Sequence, residues 1–175
     1  MPAILLHTCC APCASHAVEE LRRMGYRVTL CFANANLAPA EEYERRLTAA
    51  RQLAEHVGAP LLVDPPDHAA WLTAMQGVEQ AAEGGDRCGR CFRYSLERVH
   101  ALAAAQGFEA FTTSLTISPH KRSAVILAIG RELDPIRFLA VDFKKQHGFQ
   151  RSTELAKSYQ LYRQNYCGCE FSHRT

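Results

Sequence analysis

Short apolar runs alternate with stretches whose apolar positions recur every three or four residues, and this alternation predicts the order of elements. Ala3–His7 (AILLH) is a continuous apolar run, the pattern of a buried strand. Pro12 stands where a helix can open without its N–H. Cys13–Met24 then places Ala14, Ala17, Val18 and Leu21 at helical spacing, and Gly25 closes it. Arg27–Ala33 reads as a second strand and Asn34–Pro39 as turn material. Ala40–Val57 is a long helix with Tyr43, Leu47, Ala50 and Leu53 on one face, ended by Gly58. Pro60–Val63 is a brief strand, His68–Met75 a short helix, Gln76–Arg87 a loop, and Cys88–Gln106 a helix closed by Gly107. Glu109–Thr113 is a strand, and a helix opening at Pro119 or Lys121 runs to Leu133. Ile136–Val141 reads as the last strand and Asp142–Arg151 as a polar loop. Ser152 caps a final helix, Thr153–Gln164.

Strands separated by helices predict a Rossmann-like three-layer α/β domain with a mainly parallel sheet. Ligands of such sheets sit beyond the carboxyl ends of the strands. The loops Thr8–Cys13, Asn34–Pro39, Ser114–Lys121 and Asp142–His147 are therefore expected to open on one edge, and they hold most of the chemically interesting residues.

The chain has 175 residues, 47% hydrophobic and 22% charged, with a formal net charge of +2. That suits one domain over residues 1–175 and excludes a disordered tail or a fibre. The most apolar stretches, Ala3–Leu6 and Ala124–Ile129, fall short of the ~18 residues of a membrane span. Met1-Pro2-Ala3 has no basic leader, so the cytoplasm is the expected location. Charge is uneven: residues 1–118 carry ten Lys/Arg against thirteen Asp/Glu, residues 119–175 ten against five. A basic surface of this kind can meet phosphate.

Seven of the eight cysteines fall into three groups: Cys9, Cys10 and Cys13; Cys88 and Cys91; Cys167 and Cys169. Two-residue spacing lets both sulfurs of a pair reach one metal around a turn. Seven thiols exceed the four ligands of a closed zinc site or a simple four-iron cluster. Either two centres share a pocket or one centre sits beside redox-active thiols, and sulfur-only ligation with surplus thiols points to iron–sulfur chemistry. A zinc-bearing RNA-binding module and a thiol–disulfide oxidoreductase using Cys10-Ala11-Pro12-Cys13 stand as alternatives. Cys31, alone inside a strand, reads as core.

Further motifs accompany the cysteines: Leu5-Leu6-His7-Thr8-Cys9-Cys10-Ala11-Pro12-Cys13, Glu42-Tyr43-x-x-Arg46, Arg87-Cys88-x-x-Cys91-Phe92, Phe111–Lys121, Asp142-Phe143-Lys144-Lys145 and Tyr162–Cys169. In this order the chain resembles the QueH-type epoxyqueuosine reductases over residues 5–169. The resemblance implies a fold of the nucleotide α-hydrolase type and reduction of epoxyqueuosine to queuosine at the tRNA wobble position, without cobalamin. It also implies a four-iron, four-sulfur (4Fe-4S) cluster with a second metal beside it, iron or zinc as isolated, held among Cys9, Cys10, Cys13, Cys88, Cys91, Cys167 and Cys169. The partners implied are tRNA carrying epoxyqueuosine in its anticodon loop and an electron donor, with no membrane. Two departures stand out: Asn34-Ala35-Asn36 replaces the family's Asn-Pro-Asn, and Pro66-Asp67 its Tyr-Asp pair.

Removing an epoxide oxygen takes two electrons and two protons. Asp142, after the expected last strand, and His120 are the candidate proton donors. Asn34, Asn36, Ser118, Lys121, Lys144, Lys145 and Arg163 are the candidate substrate contacts. Ser118–Arg122 opens a predicted helix and so offers a phosphate perch. Phe143, Tyr162 or Tyr166 offers a face for base stacking.

Overall fold

Four parallel strands, β1 (Ala3–His7), β2 (Arg27–Phe32), β3 (Leu61–Val63) and β4 (Ala110–Thr113), pair in the order β3-β2-β1-β4 in the computed structural model, which describes residues 1–172. Because all four run the same way, their carboxyl ends share one edge. Six helices flank them: α1 (Ala11–Arg23), α2 (Ala40–Val57), α3 (His68–Ala74), α4 (Asp86–Ala105), α5 (Ser123–Leu133) and α6 (Gly148–Ser158). No helix of the described residues is long and apolar enough to cross a membrane.

Strand alternation divides the core into two layers. Ile4, Leu6, Val28 and Leu30 pack with Ala14, Val18 and Leu21 of α1, Leu53 of α2 and Ala156 of α6. Leu5, Cys31 and Phe111 point the other way, onto Val99 and Ala103 of α4, with Leu127 of α5 beside them. Each fully buried Leu or Ile contributes about 1.5–3 kcal/mol. β1 is central and buried on both faces, which is why it reads as a continuous apolar run.

Local signals account for the element ends. α2 follows Pro39, carries Glu41 and Glu42 in its first turn, and stops at Gly58, whose φ of 61° is the left-handed cap. α1 opens at Ala11, two residues before the expected start. Its N-cap is Cys10, whose sulfur accepts the Cys13 N–H at 3.3 Å.

Three expectations are corrected. Ile136–Val141 is not a strand: only Phe138 bridges to the sheet, at Phe111. β4 turns into a 3-10 segment at Ser114, and the hydroxyls of Thr112 and Thr116 take up the carbonyls of Leu139 and Val141 in place of a ladder. Ile136 is left 92% exposed. The last helix, α6, starts at Gly148 rather than Thr153. Ser152 lies inside it and donates back to the Phe149 carbonyl at 2.7 Å, instead of capping. It ends at Ser158, so Tyr162 is off the helix. α5 begins at Ser123, so Ser118–Arg122 is a loop that precedes a helix rather than its first turn.

Candidate metal centre

The loops after β1, β2 and β4 and the segment after α6 surround a cavity of about 600 Å³ at the carboxyl edge of the sheet. Cys9, Cys10, Cys13, Cys91 and Cys167 line it. Cys88 lines the adjoining recess together with Cys167 and Lys121. Cys169 is buried beside Cys91, packed with Trp71 and Met75. All three cysteine groups thus meet at one edge, although they come from opposite ends of the chain. Cys31 is apart from them, on β2 and buried on the face of the sheet that packs against α4.

The sulfurs of Cys9, Cys10 and Cys13 lie within 4.8 Å of one another. Those of Cys10 and Cys13 are in direct S–S contact, with Cα atoms 5.4 Å apart. Ser114 Oγ accepts the Cys9 N–H at 3.1 Å and lies 3.2 Å from Cys9 Sγ. The Gly84 N–H donates to Cys88 Sγ at 3.2 Å.

Burial pushes the Cys9 thiol up, and the nearby Lys121 charge and Ser114 hydrogen bond offset part of that. Burial also pushes Cys91 up to about 12. The hydrogen bond between Cys167 and Cys169 divides one proton unevenly, holding Cys167 above its ordinary value and Cys169 below. Burial pulls the Lys121 ammonium down, but Cys167, Cys9, Cys91 and Cys88 as thiolates outweigh it and hold it up. The residues fit a thiophilic metal: the donors are soft sulfurs, backbone N–H groups are aimed at those of Cys10 and Cys88, and a cation offsets their charge.

The predicted substrate contacts divide. Asn34, Asn36, Ser118, Lys121 and Arg163 line the cavity, as does His120. Lys144 lies behind it, its Nζ donating to the Lys121 carbonyl at 2.5 Å, and Lys145 is exposed outside it. Asp142 does not line it either. Its Oδ1 accepts from Ser123 Oγ at 2.9 Å and from the Lys144 N–H at 3.2 Å, the contacts of a loop cap. Phe143 is 1% exposed and belongs to the core, so it offers no stacking face. The Tyr162 hydroxyl is bound to Glu42, and Tyr166 lines the cavity against Arg46.

Sequence reasoning missed the role of His7 and the exposed face of Phe149. His7 closes β1 and lines the cavity, though only 1% exposed. Its Nε2 is 3.0 Å from Asn34 Oδ1 and its Nδ1 2.9 Å from Thr113 Oγ1. The Asn34 amide donates to the Thr8 carbonyl, which leaves Asn34 Oδ1 to accept, so Nε2 carries the hydrogen. Burial pulls its pKa down to about 4, so the ring is neutral. The signal was a single polar residue ending an apolar strand. Phe149, in the first turn of α6, is 42% exposed and lines the cavity mouth.

The sequence profile of the family described as "Epoxyqueuosine reductase QueH" matches residues 4–175. Proteins named "Epoxyqueuosine reductase QueH" are similar to this chain along 98% of its length. The one from Streptococcus pyogenes is 37% identical, with 70% of its own length covered. Those from Thermotoga maritima and Dehalococcoides mccartyi are 33% and 34% identical, with 91% and 92% covered. Among solved structures, a predicted subunit of tRNA methyltransferase from Methanocaldococcus jannaschii superposes with a TM-score of 0.61. It is 13% identical, with 88% of this chain and 75% of that one covered, a likeness of fold. Matched across nearly all its length and carrying three cysteine groups at one sheet edge, the chain belongs to the QueH family of epoxyqueuosine reductases.

Proposed function

We propose that this chain reduces epoxyqueuosine to queuosine at the wobble position of tRNA, as a single metalloenzyme domain over residues 1–175 in the cytoplasm. The observation that carries this reading is the convergence of three cysteine groups on one cavity, in a member of a family of epoxyqueuosine reductases. Cys9, Cys10, Cys13, Cys88, Cys91, Cys167 and Cys169 would hold a 4Fe-4S cluster and a second mononuclear metal, iron or zinc as isolated. When bound, that centre supplies electrons from an external donor and a Lewis acid for the epoxide oxygen. The reaction takes up two electrons and two protons, breaks both C–O bonds of the epoxide, and leaves the cyclopentene and water.

The chain's own residues do the rest. His120, at the cavity wall, is placed to pass a proton to the epoxide oxygen. Asp142 acts at one remove, holding Ser123 and the Lys144 N–H, and through them the loop that carries Lys121 and His120. Lys121 and Arg163 meet phosphates of the anticodon loop, with Ser118 beside them and Lys144 and Lys145 outside. Asn36 offers its amide to the substrate, whereas Asn34 shapes the wall through His7 and Thr8. Phe149 offers its ring for a base to stack on.

Anaerobic purification tests the proposal, followed by incubation with epoxyqueuosine-bearing tRNA and a low-potential reductant. A brown protein with iron and acid-labile sulfide, and nucleosides that lose one oxygen in mass, is the expected result. His120→Asn should slow turnover more than Asp142→Asn at equal iron content. A colourless protein holding only zinc would overturn the reading in favour of an RNA-binding module. The direct Cys10–Cys13 sulfur contact at the start of α1 favours a second reading, thiol–disulfide exchange, which an iron-free protein with a titratable low-pKa thiol would support.

A further inference from the structure

The Glu42-Tyr43-x-x-Arg46 motif of α2 plays no part in the chemistry above, yet Glu42 is 2% exposed and Arg46 3%. A buried ion pair is retained at a desolvation cost unless every polar atom finds a partner. Here Arg46 Nε donates to Glu42 Oε1 at 2.9 Å, and the Tyr162 hydroxyl lies 2.9 and 3.0 Å from the two carboxylate oxygens. With Nε so held, the other nitrogens of the guanidinium point at one stretch of backbone. Nη1 donates to the Cys167 carbonyl at 2.7 Å and Nη2 to the Tyr166 carbonyl at 3.0 Å. The guanidinium also sits 5.2 Å from the Tyr166 ring centroid.

Residues 161–168 belong to no helix or strand, so these carbonyls have no ladder to join. Two further contacts close the arrangement. The Gly168 carbonyl accepts the Ala38 N–H at 2.9 Å, and the Tyr166 hydroxyl donates to the Ala38 carbonyl at 3.2 Å. Gly168 has a φ of +114°, and a Cβ there would meet Leu37 Cδ2 and would lie 2.6 Å from Arg46 Nη1. Only glycine lets the backbone come this close.

We infer that Arg46, aimed by Glu42 and Tyr162, is the positioning residue that fixes the third cysteine group against the first two. This rests on the reading that the clustered cysteines form one metal-binding set. Lysine cannot replace it: a single ammonium does not span one carboxylate and two carbonyls in a fixed fork. The motif therefore serves Cys167 and Cys169 although it lies on a helix of the opposite half of the chain.

The test measures alkylation of each cysteine by iodoacetamide, read by peptide mass spectrometry. The full chain is used, both reduced and metal-free and as isolated anaerobically. Arg46→Lys, Glu42→Gln and Gly168→Ala are compared with wild type. Cys167 and Cys169 should react at least about tenfold faster in the variants, the scale expected when charge-assisted hydrogen bonds holding a segment are lost. Cys31, buried in the core, is the internal control and should stay protected. On iron loading, the variants should bind less iron per chain and show an altered visible spectrum. Unchanged rates at Cys167 and Cys169 would overturn the inference, as would a parallel rise at Cys31 in every variant, which marks general instability. A wild type that binds no iron yet shows the predicted protection pattern refutes the metal reading and leaves the positioning role standing. Normal iron binding with unaltered variants does the reverse.

Discussion

His7 Nε2 and Asn34 Oδ1 are 3.0 Å apart, and through that contact the end of the central strand grips the loop of its neighbour. The Asn34 amide continues to the Thr8 carbonyl at 2.9 Å, next to the first cysteine. Asn34→Ala leaves a buried N–H and a buried carbonyl without partners, each at about 1–3 kcal/mol. The expected loss is about 2–6 kcal/mol in urea unfolding. A midpoint within error of wild type would mean that water replaces the amide.

Cys31 and Cys91 are both pushed up to about 12 by burial, so acidity does not separate them. Location does: Cys91 opens on the cavity, and Cys31 packs under α4. Cys31→Ala should leave bound iron unchanged and cost about 1 kcal/mol of stability. Cys91→Ala should lower iron per chain. Iron lost equally from both variants would contradict the division.

Arg163 lines the cavity and is exposed, whereas Lys145 is exposed outside it. Arg163→Ala should weaken tRNA binding and reduce the slope of log affinity against log salt by about one. Lys145→Ala should do less. Binding titrations at several salt concentrations decide it, and equal effects would spread the contact over the whole basic surface.

Burial raises the Glu42 carboxyl, but hydrogen bonds from Arg46 and Tyr162 outweigh it and hold its pKa below the ordinary 4.5. A group depressed on folding adds stability that is complete above its unfolded value and lost as pH falls through its folded one. The melting temperature of the metal-free chain should therefore drop below pH 4.5, and Glu42→Gln should flatten that drop. Parallel profiles would place the acid sensitivity elsewhere.

Much of the fold was legible in the sequence because its punctuation is local. Pro39 and Gly58 bracket α2 at the expected residues, and the apolar run Ala3–His7 is β1. Ile136–Val141 misled because an apolar run looks the same whether its backbone joins a ladder or is taken up by threonine hydroxyls. α6 misled because its start is set by Gly148, which packs onto the Phe143 carbonyl, a contact distant from any helix signal. At the site, the cysteines announced themselves by spacing. Glu42 and Arg46 stood out only as part of a family motif, and their role came from the fold, which buries the pair against the backbone of residues 166 and 167.

The order in which the ribosome delivers these parts follows from where the third cysteine group lies. The sheet and the first two groups are complete by Thr113, and Cys167 and Cys169 emerge only after α6. A nascent chain can thus fold its layers while a ligand set is still unfinished. A metal that needs all three groups could be enclosed only once the last residues are made, and a chain ending after α6 would carry five of the seven clustered thiols.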